Sequence, residues 1–91
     1  MSKIDYYRKE IDVIDKNIIK LLLKRFKLVR KIAHYKKLKK IKITDKKREL
    51  QIINNIKRHS NKKYQKFIIG VFKNIISYSK KIQNNIWQKK N

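Results

Sequence analysis

The chain is predicted to be all-α, with three helices: one long, one short and one of medium length. Three observations predict this. Its 91 residues include no proline and a single glycine, Gly70, so little interrupts a regular backbone. Apolar residues recur at alternating steps of three and four over long stretches, the period of one helix face. A capping residue stands before each such stretch: Ser2, then Thr44-Asp45, then Asn61.

The first helix is expected from about residue 3 to about residue 39. Ser2 followed by Asp5 makes a capping-box-like start. Ile4, Tyr7, Ile11, Ile14, Ile18 and Leu21, then Leu28, Ile32 and Tyr35, form a heptad seam. Lys37-Leu38-Lys39-Lys40 closes the helix with cations, which suit the carbonyl end of the dipole. Ile41-Lys42-Ile43 reads as a short extended link. A second helix runs from Lys46 to about Lys57, with Leu50, Ile53 and Ile56 inward. Arg58 to Asn61 reads as a turn. The third helix carries the stripe Tyr64, Phe67, Ile68, Val71, Phe72, Ile75, Ile76, Ile82 and Ile86, with Trp87 covering its end. Gly70 inside it is a tolerated weak point or a close-packing spot. No internal repeat and no second domain is visible, so residues 1–91 are expected to form one domain.

A helix of 37 residues is roughly 55 Å long at 1.5 Å per residue. A globule of this chain length has a radius of gyration of only about 12 Å. Two shorter helices cannot cover the whole seam, so the seam implies a second copy, most simply a two-fold dimer.

Composition excludes several classes of chemistry. Without cysteine there is no disulfide, thiolate nucleophile or thiolate ligand. His34 and His59 stand apart from any ligand-spaced cluster, so no metal is expected. One glycine cannot build a phosphate-cradling loop. No apolar run approaches a membrane span, and the first residues do not resemble a signal peptide, so a cytoplasmic location is expected. The formal net charge of +22 admits a polyanionic partner, nucleic acid or membrane surface. Yet Lys, Ile and Asn, all A+T-rich codons, fill 48 of 91 positions, and the lysines are scattered. Compositional drift accounts for that pattern, and neither a specific nucleic acid nor a membrane is expected as partner.

Polar residues stand where the pattern wants apolar ones. The heptad count from Ile4 reaches position 25 and finds Arg25. Ser79 and Gln83 interrupt the third-helix stripe one turn apart. Unsatisfied, such groups cost a few kcal/mol each in a core. A satisfied polar network, or a device fixing helix register, explains them as well as a ligand site does. Two facts favour the site. Only five arginines, Arg8, Arg25, Arg30, Arg48 and Arg58, stand against 23 lysines, and arginine offers the planar fork that matches a carboxylate. Lys36 follows Arg25 by eleven residues, on nearly the same face and about 16 Å along the axis. Asp45 and Glu49 lie beside Arg48 at the start of the short helix, where negative charge also suits the dipole.

Several segments together resemble the all-helical AroQ class of chorismate mutases. Arg8-Lys9-Glu10-Ile11-Asp12-Val13-Ile14-Asp15 is similar to the opening of that family. Leu22-Leu23-Lys24-Arg25-Phe26-Lys27-Leu28-Val29, followed by Ile32-Ala33-His34-Tyr35-Lys36, is similar to its next block. Ile43-Thr44-Asp45-Lys46-Lys47-Arg48-Glu49 resembles the segment opening its second helix, and Ile75 to Gln83 its third-helix signature. The resemblance spans residues 4 to 86, with the blocks in order and at family-like separations. It departs in the link before Asp45, which carries Lys-Lys-Ile-Lys-Ile where the family usually has glycine or proline, and in a short connection between the second and third helices.

The resemblance implies a chorismate mutase, an isomerase converting chorismate to prephenate in phenylalanine and tyrosine biosynthesis. It implies substrate contacts by Arg8, Arg25, Lys36, Asp45, Arg48, Glu49, Ser79 and Gln83, none of which is substituted. Arg8 and Arg25 would pair with the two carboxylates. Lys36 and Gln83 would donate to the ether oxygen, making Lys36, Gln83 and Arg25 the catalytic group. Glu49 would accept from the ring hydroxyl, helped by the Asp45 backbone. Ser79 and Arg48 would complete the polar lining, with Arg48 orienting its neighbours. The unimolecular reaction calls for no cofactor, metal or nucleophile. Arg8 and Arg25 lie seventeen residues and roughly 25 Å apart on one helix. One site can use both only if Arg8 comes from a partner, so an intertwined homodimer with antiparallel long helices is implied. Three alternatives stand beside this reading: a basic helical nucleic-acid binder, an isochorismate-pyruvate lyase of the same fold, and a purely structural helical dimer. No appended regulatory domain is visible, so feedback control within the chain is not expected.

Overall fold

A computed structural model describes residues 2–89. The described residues contain three helices and no strand: α1 (Lys3–Lys39), α2 (Lys46–His59) and α3 (Lys62–Gln88).

Each helix begins on the expected cap. Ser2 accepts from the Asp5 backbone N–H at 3.2 Å, Asp45 from Arg48 N–H at 3.0 Å, and Asn61 from Lys63 N–H at 3.0 Å. These side chains satisfy donors that have no partner within the helix. α1 ends in a left-handed residue, Lys40, with φ 57°. The Ile41 N–H donates back to the Lys36 carbonyl at 2.8 Å, and the Lys40 N–H to Lys37 at 3.3 Å. This is a Schellman closure built on lysine where glycine is favoured. α2 runs two residues past its expected end, to His59, leaving only Ser60 and Asn61 as the connection. Gln65 Nε2 donates to the Lys57 carbonyl at 3.1 Å and holds that sharp turn.

α3 packs against both other helices, while the backbones of α1 and α2 nowhere bring their Cα atoms within 8 Å of each other. The core between them is small: Val29, Ala33 and Ile56 are its buried apolar residues. Phe26 and Tyr78 meet edge-on with ring centres 5.4 Å apart, and Trp87 Nε1 donates to the Ala33 carbonyl at 3.0 Å. Trp87 thus closes the far end of the α3 stripe and ties it to α1.

The heptad seam is not part of this core, although Leu28 and Ile32 near its C-terminal end border the space between the helices. All nine of its apolar residues are exposed, from Ile4 at 59% to Leu21 at 65% and Tyr35 at 58%. The apolar residues of α1 that are buried or half-buried form a neighbouring stripe instead, Leu22, Phe26, Val29 and Ala33, also at 4-3-4 spacing. Leu50, expected inward, is 58% exposed, and Tyr64, Phe67 and Val71 at the start of the α3 stripe are exposed too. The radius of gyration is 16.9 Å, well above the roughly 12 Å of a globule of this length, and the long dimension is 55 Å, the length of α1. Gly70 has no heavy atom within 4 Å of the place its Cβ would take, so it is a weak point of the helix and not a packing spot within the chain.

Candidate active site

Because the backbones of α1 and α2 stand apart while both approach α3, α3 forms the floor of a space between them. That space is a cavity of about 440 Å³, within the range of small-molecule sites. α1 lends Arg25, Leu28, Val29, Ile32 and Lys36 to it, the link lends Ile43 and Asp45, α2 lends Arg48, Glu49 and Ile52, and α3 lends Ile76, Ser79, Lys80 and Gln83. Seven of the eight residues singled out by resemblance line this one cavity. The eighth, Arg8, lies on the exposed N-terminal half of α1 and is not part of it.

The polar groups are tethered to different elements. Arg25 Nη1 donates to Ser79 Oγ at 3.0 Å, and that hydroxyl donates to the Ile75 carbonyl at 2.7 Å. Burial lowers the Arg25 pKa from its ordinary value, and the nearby charge of Arg48 lowers it further; a guanidinium remains charged nonetheless. Lys36 Nζ donates to the Ile43 carbonyl at 3.0 Å, so the link orients this lysine. The Asp45 carboxylate is engaged in capping α2, the role that helix-terminus electrostatics alone suggested. Arg48 reaches Gln51 Oε1 at 3.5 Å and otherwise faces solvent and cavity. Ser79 and Gln83 are 6% and 8% exposed, in a helix whose apolar residues are mostly half-buried.

Two polar atoms stand out. Gln83 Oε1 and Glu49 Oε2 are buried without a hydrogen-bond partner. Natural structures leave few such groups, and each asks for a reason. Glu49 Oε2 does have a charge beside it, since Lys80 Nζ lies 2.8 Å away. Gln83 has none, and rotation about its last torsion offers either a carbonyl or an NH₂ at that place. The cavity therefore carries four cations, Arg25, Lys36, Arg48 and Lys80, against two carboxylates already occupied by a helix cap and a lysine. Such a lining is fitted to a small anion with more than one negative charge.

Lys80 was not among the residues singled out from the sequence. Ile76, Lys80 and Gln83 follow one another at steps of four and three. That spacing puts Lys80 on the site face, but one lysine among 23 does not stand out. Among the described residues no cluster of His, Asp or Glu could hold a metal ion, and no helix is long and apolar enough to cross a membrane.

Three helices and a cavity between them lined by four cations and two carboxylates define a small all-α protein. The family model described as chorismate mutase type II matches residues 7–84, and the chain belongs to that family. This is the AroQ class, and membership supports a chorismate mutase, an isomerase, in general terms. We found no significant match among curated proteins or among solved structures.

Proposed function

We propose that the protein is a cytoplasmic chorismate mutase that rearranges chorismate to prephenate for phenylalanine and tyrosine biosynthesis. One observation carries the reading: residues from three helices and a link, predicted separately by resemblance, converge on one cavity of suitable size.

The chemistry needs two things from the protein. A flexible dianion must be held in the diaxial, chair-like conformer that reacts. Negative charge growing on the ether oxygen, as the C–O bond breaks and the new C–C bond forms, must be stabilised. Arg25, anchored by Ser79, takes one carboxylate. Lys36, oriented by Ile43, and Gln83, with its unpartnered amide, donate to the ether oxygen. Glu49 accepts from the ring hydroxyl. No proton is transferred and nothing is bound covalently, so fixed donors suffice.

The second carboxylate needs a further cation, and here the exposed seam matters. A stripe of nine exposed apolar residues on one helix is far more than a single soluble chain leaves uncovered. A second copy lying antiparallel across it would bury the stripe and carry its Arg8 toward the cavity. We therefore propose an intertwined homodimer with Arg8 supplied across the interface.

The test is direct. Purified protein is added to chorismate, and loss of its absorbance is followed with product identification. Prephenate is the expected product. Turnover of isochorismate to pyruvate and salicylate without prephenate formation would instead make it a lyase. Retention of duplex DNA at micromolar protein, with neither reaction, would make it a nucleic-acid binder.

A further inference from the structure

We propose that Lys80 is a positioning residue of the site, holding the Glu49 carboxylate in place for the hydroxyl of the ligand; the inference rests on the mutase reading above. Lys80 leaves α3 one residue after Ser79 and reaches across the cavity to α2, where its Nζ lies 2.8 Å from Glu49 Oε2. That oxygen is buried from solvent and makes no hydrogen bond of good geometry. Its partner is thus the lysine's charge, although Arg25, Lys36 and Arg48 line the same cavity. Both side chains are about two-thirds buried, so the pair is shielded from water better than a surface ion pair.

Two consequences follow. With Oε2 held by Lys80, Oε1 is the oxygen left to accept a hydrogen bond from a ligand hydroxyl. A free carboxylate inside the cavity would also repel a dianionic ligand, and Lys80 cancels that charge where it arises. Lys80 therefore acts through Glu49 and needs no contact of its own with the reacting atoms. Arg25, which lines the same cavity, is thereby left for a carboxylate of the ligand.

The experiment is steady-state kinetics with chorismate on the wild type, Lys80→Met, Lys80→Arg, Glu49→Gln and the Glu49→Gln/Lys80→Met double variant. Circular dichroism and thermal unfolding are recorded for each, and Lys80→Gln replaces Lys80→Met if the latter loses helicity. A group that orients a ligand-binding carboxylate acts on ground state and transition state alike, so Lys80→Met should raise KM about tenfold with kcat changed less than about twofold. Lys80→Arg should recover most of the affinity. In the Glu49→Gln background, removal of Lys80 should change KM by less than about twofold, because the carboxylate it serves is gone. An undiminished effect of Lys80→Met in that background would mean that the lysine acts on the substrate directly, and would overturn the proposal. So would unchanged kinetic constants beside a lowered Tm, which would make the pair structural. A wild type that leaves chorismate intact overturns the mutase reading together with this one, whereas an active wild type with an indifferent Lys80 overturns this one alone.

Discussion

Arg25 and Ser79, 54 residues apart in sequence, are joined by a 3.0 Å hydrogen bond from guanidinium to hydroxyl. The hydroxyl is itself fixed, because its proton goes to the Ile75 carbonyl. One nitrogen of the fork is thereby consumed as an anchor, on a side chain that lines the cavity. Ser79→Ala should lower kcat/KM about tenfold, since the charge stays and only its anchor is lost. Arg25→Lys keeps the charge but loses the planar fork, and should cost about a hundredfold or more. Equal, small losses in both variants would show that the geometry of the guanidinium is irrelevant.

Lys40 gives a prediction for stability. It closes α1 in the left-handed region, which costs a residue with a Cβ roughly 1 kcal/mol. Lys40→Gly should relieve that strain, partly offset by the greater freedom of glycine in the unfolded chain. The expected net result is a Tm higher by a few degrees, read by thermal unfolding at fixed protein concentration. A lower Tm would mean that the lysine side chain contributes more than its backbone costs.

This loop also marks where the sequence was legible and where it was not. The helices and their caps could be read because Ser2, Asp45 and Asn61 each satisfy local donors, and local chemistry is visible locally. Lys40 could not be read as a cap, because nothing in a run of lysines marks the one residue that turns left-handed. The α1 period was visible but its facing was not. Two apolar stripes run side by side on that helix, and only the structure shows that Leu22, Phe26, Val29 and Ala33 are the buried or half-buried one while the stripe from Ile4 to Tyr35 stays exposed. Leu50 failed for the same reason: its phase is helical, but the chain supplies nothing to cover it. At the site, Arg25, Ser79 and Gln83 were legible as polar breaks in apolar stripes. Arginine scarcity marked Arg8 and Arg48, spacing put Lys36 on the Arg25 face, and Asp45 and Glu49 were visible at the start of the short helix, but only the family resemblance gave these five a role, and nothing marked Lys80.

The exposed seam and the isolation of Arg8 lead to a complementation experiment. Arg8→Ala and Arg25→Ala chains should each be nearly inactive alone. Mixed under conditions where subunits exchange, they should form heterodimers with about one wild-type site each, and activity should return. Exchange demonstrated by mass spectrometry without any recovery would place Arg8 outside the site.

Lys36 is assigned to charge that grows only as the reaction proceeds. Lys36→Ala should therefore lower kcat about a hundredfold or more, with a smaller change in KM. Its tether to Ile43 is a backbone carbonyl, so it survives most substitutions in the link. Because the chain carries +22 and the ligand is a dianion, kcat/KM of the wild type should also fall as ionic strength rises. Near-normal turnover by Lys36→Ala would remove the lysine from this role.

Gln83 allows the sharpest test, because its role can be made to depend on pH. The side chain is 8% exposed, and its amide end includes a buried atom without a partner. A carboxamide NH₂ donates at every ordinary pH because it does not titrate. The rearrangement needs no general acid or base, so the wild-type rate should vary little between about pH 5.5 and 8, where the substrate carboxylates are ionised. Gln83→Glu keeps the size of the side chain but makes donation conditional, since a carboxylic acid has one O–H donor and a carboxylate has none. Burial raises the pKa of a carboxyl placed there, and a nearby cation such as Lys36 lowers it, so the midpoint is open while the direction is fixed. The acid form donates to the ether oxygen; the ionised form cannot, and it repels the charge developing there. Gln83→Glu should be most active in acid and lose activity as pH rises through its carboxyl pKa. The measurement is kcat/KM against pH for both proteins at constant ionic strength. A variant profile that is flat, or that climbs toward alkaline pH, would show that Gln83 does not donate to the ether oxygen and that its burial in α3 belongs to the core.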